Sequence, residues 1–218
     1  MPLDQQLLIL AVVAYLLGSI PFGLIVGRLN GIDPRKGGSG NIGATNVGRL
    51  LGRKFFWIVF FLDLLKGLIP MAVAATLARH VDTAHKPYGL WMLVGSAAFL
   101  GHLFPVWLKF KGGKGVATAA GVLLGLWPYY TLPGLVPLVV FILIFLATKT
   151  VSIGSIFASA TFPLAFIGIG LFAGWPVFGR QLPLLVLALA VPTLIIVRHR
   201  SNIARLLAGT EKPSQKPS

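Results

Sequence analysis

The chain is 218 residues long, 56% hydrophobic and only 11% charged, with a mean hydropathy of +0.86. Soluble domains carry about 25% charged residues, so a water-soluble globule is excluded and an integral membrane protein is expected. Lys and Arg number 19 against 5 Asp and Glu, a net charge of +14, and the absence of cysteine excludes disulfides, thiolate metal sites and cysteine nucleophiles.

A helix that crosses the hydrocarbon core of a bilayer needs roughly 20 apolar residues. Gln6–Val26, Phe55–Leu77, Tyr88–Leu108, Ile153–Phe172 and Leu182–Val197 meet that requirement. Val116–Tyr130 and Leu132–Ala147 are shorter, and Pro128, Pro133 and Pro137 prevent them from fusing into one long helix. Two short helices and a re-entrant hairpin both fit this stretch, and either returns the chain to the same side. The expected fold is all-α, a polytopic integral membrane protein of about seven transmembrane helices. Continuous apolar runs without period-two alternation exclude a β-barrel. Met1-Pro2-Leu3-Asp4 lacks the positive stretch of a cleavable signal. Residues 1–211 read as a single membrane domain and Lys212–Ser218 as a disordered polar tail.

Charge sets the expected orientation. With the N-terminus outside, Arg28, Arg35, Lys36, Arg49, Arg53, Lys54, Lys109, Lys111, Lys114, Lys149, Arg198, Arg200, Arg205, Lys212 and Lys216 all fall inside. Only Arg79, Lys86 and Arg180 fall outside, and Lys66 lies within a span. That bias places the C-terminus in the cytoplasm. These cations sit beside membrane spans rather than on a soluble face, so nucleic acid is not an expected partner; membrane lipid and anionic substrates are.

Three polar, basic stretches interrupt the apolar chain, following the first, third and seventh segments and therefore facing one side. In the first, Ser39–Arg49, the run Gly38-Ser39-Gly40-Asn41-Ile42-Gly43 satisfies G-x-G-x-x-G, but a membrane helix precedes it where the dinucleotide motif requires a strand. What remains is local: glycines let successive backbone N–H groups face an anion, Ser39, Asn41, Thr45 and Asn46 add neutral donors, and Arg49 offers a bidentate fork. The second, Lys109-Phe110-Lys111-Gly112-Gly113-Lys114-Gly115, is not a P-loop, since Gly115 stands where Ser or Thr should. Three lysines around adjacent glycines make a positive concavity, and the following helix N-terminus would add its dipole; plain positive-inside anchoring explains the lysines as well. His102 lies in the preceding span, about 9 Å from its end, as a functional or a hydrogen-bonded structural residue. The third, Arg198-His199-Arg200-Ser201-Asn202, is expected to continue the last span helically, with Arg198, His199, Asn202 and Arg205 sharing a polar face. An interfacial amphipathic helix would account for its arginines, though not for His199 and Asn202.

Asp63 and Lys66, three apart in the second span, are expected to neutralise one another, and Glu211 is read as structural. No doubled carboxylate is available for hydrolytic acid–base work and no His/Asp/Glu cluster suggests a metal site, so no metal and no cofactor is expected. The chemistry must rest on positioning and charge neutralisation of substrates that carry their own reactivity. A transporter of anionic phospho-compounds is the competing reading, but it predicts midplane binding residues in inverted repeats, whereas these cations crowd one face.

Gly18-Ser19-Ile20-Pro21, the S-G-N-x-G-A-T-N-x-x-R run at Ser39–Arg49, Asp63-x-x-Lys66-Gly67, Gly101-His102, Pro105, Phe110–Thr118, Arg198-His199, Asn202-Ile203, Arg205-Leu206-Leu207 and Gly209-Thr210-Glu211 together resemble the bacterial acyl-phosphate-dependent glycerol-3-phosphate acyltransferases. The resemblance covers nearly the whole chain. It implies transfer of a fatty acyl group from acyl phosphate to the 1-hydroxyl of sn-glycerol 3-phosphate, giving lysophosphatidic acid and inorganic phosphate, without a metal. It also implies a bacterial cell (inner) membrane location, an active site on the cytoplasmic face, and a cytoplasmic enzyme that produces acyl phosphate. The catalytic candidates are Ser39, Arg49, His199 and Asn202. The binding candidates are Asn41, Thr45, Asn46, His102, Lys109, Lys111, Gly112, Gly113, Lys114, Gly115, Thr118, Arg198 and Arg205. Either His199 or a substrate phosphate oxygen serves as proton acceptor, and a monomer suffices because one chain supplies every motif.

Overall fold

A computed structural model describes residues 1–81, 87–211 and 213–214. Lys86, one of the expected exterior cations, and Lys212 and residues 215–218 of the expected tail lie outside the described residues. All described regular elements are helical: α1 (Leu3–Ser19), α2 (Phe22–Leu29), α3 (Ala44–Leu51), α4 (Arg53–Leu77), α5 (Tyr88–Leu103), α6 (Val116–Gly125), α7 (Thr131–Thr148), α8 (Val151–Phe172), α9 (Leu182–Arg198) and α10 (Arg200–Leu207), with short 3₁₀ turns at Pro34–Lys36 and Val106–Leu108. They form two compact units, Met1–Trp127 and Pro128–Ser218.

Among the described residues, five stretches are long and apolar enough to cross a membrane: Leu3–Leu29, Arg53–Leu77, Tyr88–Leu108, Thr131–Thr148 and Val151–Phe172. The bent pair α9 and α10 makes a sixth when taken as one span. At ten residues, α6 measures about 15 Å, half the hydrocarbon thickness of about 30 Å. The expected segment Val116–Tyr130 is helical only as far as Gly125, with Pro128 in the break that follows.

Two expected continuous helices are broken. The first span divides at Ile20–Pro21, because proline lacks the N–H for the helical ladder and drives its predecessor to extended backbone; Ile20 sits at φ −61°, ψ 119°. The last span bends by 54° between α9 and α10. There the His199 N–H is shared between the carbonyls of Ile195 and Ile196, at 3.1 and 2.9 Å, which tightens the last turn of α9.

In the first unit, small residues allow close helix contact, as expected where lipid gives no hydrophobic drive between helices. Gly18 of α1 meets the Ala98 backbone of α5, and Gly101 of α5 meets the Tyr15–Ser19 backbone of α1. Gly67 of α4 faces Thr118 of α6, and Gly121 of α6 faces Leu64 of α4. In the second unit α7 packs on α8 and α8 on α9. The buried Tyr130 ring meets Phe162 and Phe166 edge-on, and its hydroxyl donates to the Leu184 carbonyl of α9. Large apolar side chains such as Ile9, Val12, Phe61, Leu143 and Leu164 stay exposed, the surface a bilayer would cover.

A side chain at Gly121 would overlap the Leu64 carbonyl oxygen, whereas Gly168 has open space around it. Gly121→Val should therefore cost about 1–3 kcal/mol and lower the unfolding midpoint in detergent, while Gly168→Val leaves that midpoint unchanged.

Candidate active site

The first loop is organised by one side chain. Asn46, buried in the first turn of α3, donates from Nδ2 to the carbonyls of Pro34 at 2.9 Å, Gly37 at 3.2 Å and Asn41 at 2.8 Å. Its Oδ1 accepts from the Ser39 N–H at 2.8 Å. Backbone groups that no regular element pairs are thus satisfied by a single amide. Asn41 Oδ1 accepts from the Gly43 N–H at 2.8 Å, closing the turn into α3. Gly38 has φ +59° and packs against Asn46 Oδ1, so a side chain there would be excluded twice. Asp33 opens the preceding 3₁₀ turn by accepting from the Arg35 N–H at 3.0 Å and pairing with its guanidinium at 2.5 Å, a partner that holds the carboxyl well below its ordinary range. The sequence reading of a glycine-rich turn did not foresee α3, whose Gly48 lies against Phe56 of α4. Ser39 is exposed, Asn41, Thr45 and Arg49 are half-buried, and Asn46 faces inward.

The second loop folds back on the end of α5. Lys109 and Phe110 adopt left-handed backbone, φ 51° and 62°, uncommon for residues with side chains. The turn is fixed by N–H donation from Phe110 to the Pro105 carbonyl, Lys111 to Leu108, Gly112 to Leu103 and Gly113 to His102, at 3.0 to 3.2 Å. The Gly112 and Gly113 amides expected to cradle phosphate therefore hold the loop to its helix. Lys109 and Lys111 are exposed and Lys114 is half-buried, so the loop still presents cationic side chains. Gly115, at φ +84°, caps α6 and lies against Phe99 and Leu103, which leave no room for a side chain.

Beneath this loop lies a buried polar group. Asp63 Oδ1 accepts from Lys66 Nζ at 2.8 Å and stands 3.6 Å from His102 Nδ1; all three side chains are almost wholly buried. Lys66 Nζ also donates to the Ile20 carbonyl at 3.1 Å, the group exposed by the α1–α2 break. Thr118, fully buried, donates its hydroxyl to the Asp63 carbonyl at 2.9 Å. Thr118 and His102 thus occupy interior positions.

The third motif belongs to the second unit. His199, at the α9–α10 bend, is buried with Nδ1 2.7 Å from the Ile195 carbonyl. A carbonyl only accepts, so Nδ1 carries the proton and the neutral ring's lone pair lies on Nε2. Glu211 gathers the rest: Oε1 accepts from Asn202 Nδ2 at 2.6 Å and Ser152 Oγ at 2.8 Å, and Oε2 pairs with Arg205 Nε at 2.6 Å. Ser214, within the expected disordered tail, hydrogen-bonds the Lys149 carbonyl and the Val151 N–H, at 3.0 and 2.9 Å. Arg198 is half-buried and Arg200 exposed.

Comparison with known proteins decides the family. A family model described as glycerol-3-phosphate acyltransferase matches residues 8–209. Relatives named glycerol-3-phosphate acyltransferase include one from Trichlorobacter lovleyi, 48% identical over 91% of this chain and 92% of its own, and one from Aquifex aeolicus, 45% identical over 95% and 98%. The chain belongs to the glycerol-3-phosphate acyltransferase family. It is an acyltransferase, and its apolar helices are those of an integral membrane enzyme. The crystal structure of PlsY (YgiH), described as an integral membrane glycerol 3-phosphate acyltransferase in its glycerol 3-phosphate form, matches at TM-score 0.81 and 43% identity over 95% of each chain. Its lysophosphatidic acid form matches at TM-score 0.78 with the same identity and coverage.

One organising residue of this acyltransferase, and most of the partners of a second, were hidden from sequence reasoning. Asn46 is one amide among several polar residues, and nothing in the string marks it as the inward one. Glu211 was readable as structural, being one of only 5 acids, but its bond to Ser152 spans 59 positions.

Replacing the Asn46 amide by a carboxylate of the same shape removes the two N–H groups that the three carbonyls share and sets a negative oxygen against them. Asn46→Asp is therefore expected to lower acyltransferase activity at least about a hundredfold, given about 1–3 kcal/mol for each buried group left unpaired, while Asn41→Asp, which keeps the accepting oxygen, does far less. Burial raises the Glu211 pKa, but hydrogen bonds from Arg205, Asn202 and Ser152 outweigh it and hold it below its ordinary 4.5. The folded chain then binds that proton less tightly than the unfolded one, so the stability is complete above about pH 4.5 and is lost as pH falls through the lower folded value. Across that acid range the unfolding midpoint should fall more steeply for the native chain than for Glu211→Gln, which keeps only the acid sensitivity of the other paired carboxylates, Asp33 among them.

Proposed function

We propose that this acyltransferase moves a fatty acyl group from acyl phosphate to the 1-hydroxyl of sn-glycerol 3-phosphate, forming lysophosphatidic acid and inorganic phosphate. The observation that carries this reading is the match to a relative described in glycerol 3-phosphate and lysophosphatidic acid forms, acceptor and product of the reaction. Acyl phosphate is a mixed anhydride with a good leaving group. The carbonyl carbon–oxygen bond to phosphate breaks, the ester bond to the glycerol oxygen forms, and the hydroxyl proton passes to His199 Nε2 or to a phosphate oxygen. Charge neutralisation and positioning then suffice, without a doubled carboxylate.

In this proposal Lys109, Lys111 and Lys114, with Gly115 at the start of α6, hold the glycerol phosphate anion. Ser39, Asn41, Thr45 and Arg49 hold the donor phosphate and the reacting carbonyl. His199 and Asn202 orient the attacking hydroxyl and stabilise the developing oxyanion, with Arg198 and Arg205 adding positive charge. Asn46, His102, Thr118 and the Gly112–Gly113 amides shape these surfaces from behind. The topology has seven segments with α6 as the short one, the N-terminus outside and the C-terminus in the cytoplasm, so that the three motifs gather at the cytoplasmic face of the bacterial inner membrane. Residues 1–211 act as one catalytic domain of a monomer, supplied by a cytoplasmic enzyme that makes acyl phosphate.

Purified protein given labelled glycerol 3-phosphate is expected to form lysophosphatidate from acyl phosphate and not from acyl-CoA, and Arg49→Ala should reduce the rate at least about a hundredfold. Equal use of acyl-CoA would overturn the donor assignment. His199→Ala tests the proton acceptor: a kcat loss far above about 10⁴-fold at unchanged KM rejects the phosphate as acceptor, and a loss below about tenfold rejects the imidazole.

A further inference from the structure

We infer that Tyr15 of α1 is a positioning residue for the second cationic loop, acting through the peptide plane between Phe104 and Pro105. Its effect on catalysis rests on the reading above that Lys109–Gly115 grips the acceptor phosphate; its hold on the loop does not.

Four consecutive carbonyls at the end of α5 all accept hydrogen bonds. His102 accepts from the Gly113 N–H at 3.2 Å, Leu103 from the Gly112 N–H at 3.1 Å, and Pro105 from the Leu108 and Phe110 N–H groups, both at 3.0 Å. Those donors belong to the turn and loop that follow. Between them stands the Phe104 carbonyl, which accepts from the Tyr15 hydroxyl at 2.8 Å, across 89 positions of sequence. A neighbouring helix thus enters a set of bonds that the loop otherwise makes with its own.

That carbonyl matters because of what shares its plane. A peptide unit is planar, so the Phe104 carbonyl and the Pro105 nitrogen with its ring Cδ lie together, and proline has no N–H to hold the plane by its other edge. Pro105 Cδ is an atom that Gly112 packs against, since a side chain on Gly112 would come within 2.5 Å of it. The ring also sets Pro105 at φ −67° and so links the plane to the next carbonyl, the one that receives Leu108 and Phe110. One hydroxyl therefore orients both the ring behind Gly112 and the carbonyl that ties down Phe110. Lys111 lies between these two supports. Lys109 and Phe110 beside it hold left-handed backbone, φ 51° and 62°, which persists only where the surroundings over-determine it.

Tyr15 is itself fixed. Its carbonyl accepts from Ser19 Oγ at 2.8 Å, Gly101 of α5 lies against its backbone, and α1 packs on the Val106–Leu108 turn. The ring is half-buried in an apolar helix, where little water competes for its hydroxyl. Phenylalanine would fill the same space, so what the oxygen adds is this one directional bond. Without it the plane can tilt, the supports on either side of Lys111 slacken, and the helices keep their packing. The signature is a higher KM for the anionic acceptor with chemistry intact.

The test uses the purified full chain in detergent, as Tyr15→Phe, Pro105→Ala and the two combined. Tyr15→Phe is expected to raise KM for glycerol 3-phosphate about three- to tenfold, the size of one neutral hydrogen bond, with kcat within about twofold. Trypsin, added without substrate, should cut it after Lys109 or Lys111 at least about threefold faster. Pro105→Ala should do the same through loss of the ring. The combined variant should show no more than the larger single effect, because both changes act through one plane. Native KM and native cleavage in Tyr15→Phe would overturn the inference, as would a KM rise without faster cleavage, or single effects that multiply when combined. Faster cleavage at unchanged KM would keep the hold on the loop and reject the assignment of the acceptor phosphate to it. If Tyr15→Phe fails to fold, Pro105→Ala decides alone, and native cleavage there overturns the inference.

Discussion

A charge inside a bilayer must be neutralised where it stands, and in this chain that requirement falls on Asp63 and Lys66. Their contact at 2.8 Å is the centre from which the first unit is arranged. Lys66 reaches the Ile20 carbonyl freed by Pro21, His102 of α5 stands beside the same carboxylate, and Thr118 of α6 closes on the Asp63 carbonyl. Four helical stretches meet at one polar knot, and the glycines at 18, 67, 101 and 121 let them come close enough to do so. The same rule keeps the other described cations out of the middle of the long apolar helices, at their ends, in the short helices and in the loops.

The loops use two different devices to become rigid without regular structure. The first places a buried amide at its centre and satisfies four backbone groups with it. The second lies back on a helix end and borrows its unpaired carbonyls, which a helix leaves at every C-terminus. In both, backbone donors are used internally, so the surfaces offered to an anion are made mainly of side chains. The third motif differs in using a carboxylate: Glu211 binds Asn202 and Arg205 on α10 and Ser152 on α8, and the His199 bend directs α10 away from the α9 axis.

Much of this was legible in the residues. Continuous apolar runs located the long helices to within a few residues, and the Asp63–Lys66 spacing announced the pair. The Pro21 break was legible in principle, because Ile20-Pro21 states its own interruption. Other features were not. The bend at His199 contains neither glycine nor proline, and the bonds that tie α10 to Glu211 start from Asn202 and Arg205. Asn46 and Asn41 are alike in sequence, and only folding decides that one faces the interior. Gly112 and Gly113 suggested a phosphate cradle, and the string does not show that their N–H groups donate to the Leu103 and His102 carbonyls of α5.

The central claim is that hydrophobic exclusion gathers the distant polar motifs at one face of the membrane. The chain has no cysteine of its own, so single cysteines at Ser39, Lys111 and Arg200, all exposed positions, can be labelled with an impermeant maleimide in sealed cells and in inverted vesicles. The account predicts labelling of all three in inverted vesicles and of none in sealed cells. Labelling of any one of them from the cell exterior would contradict it.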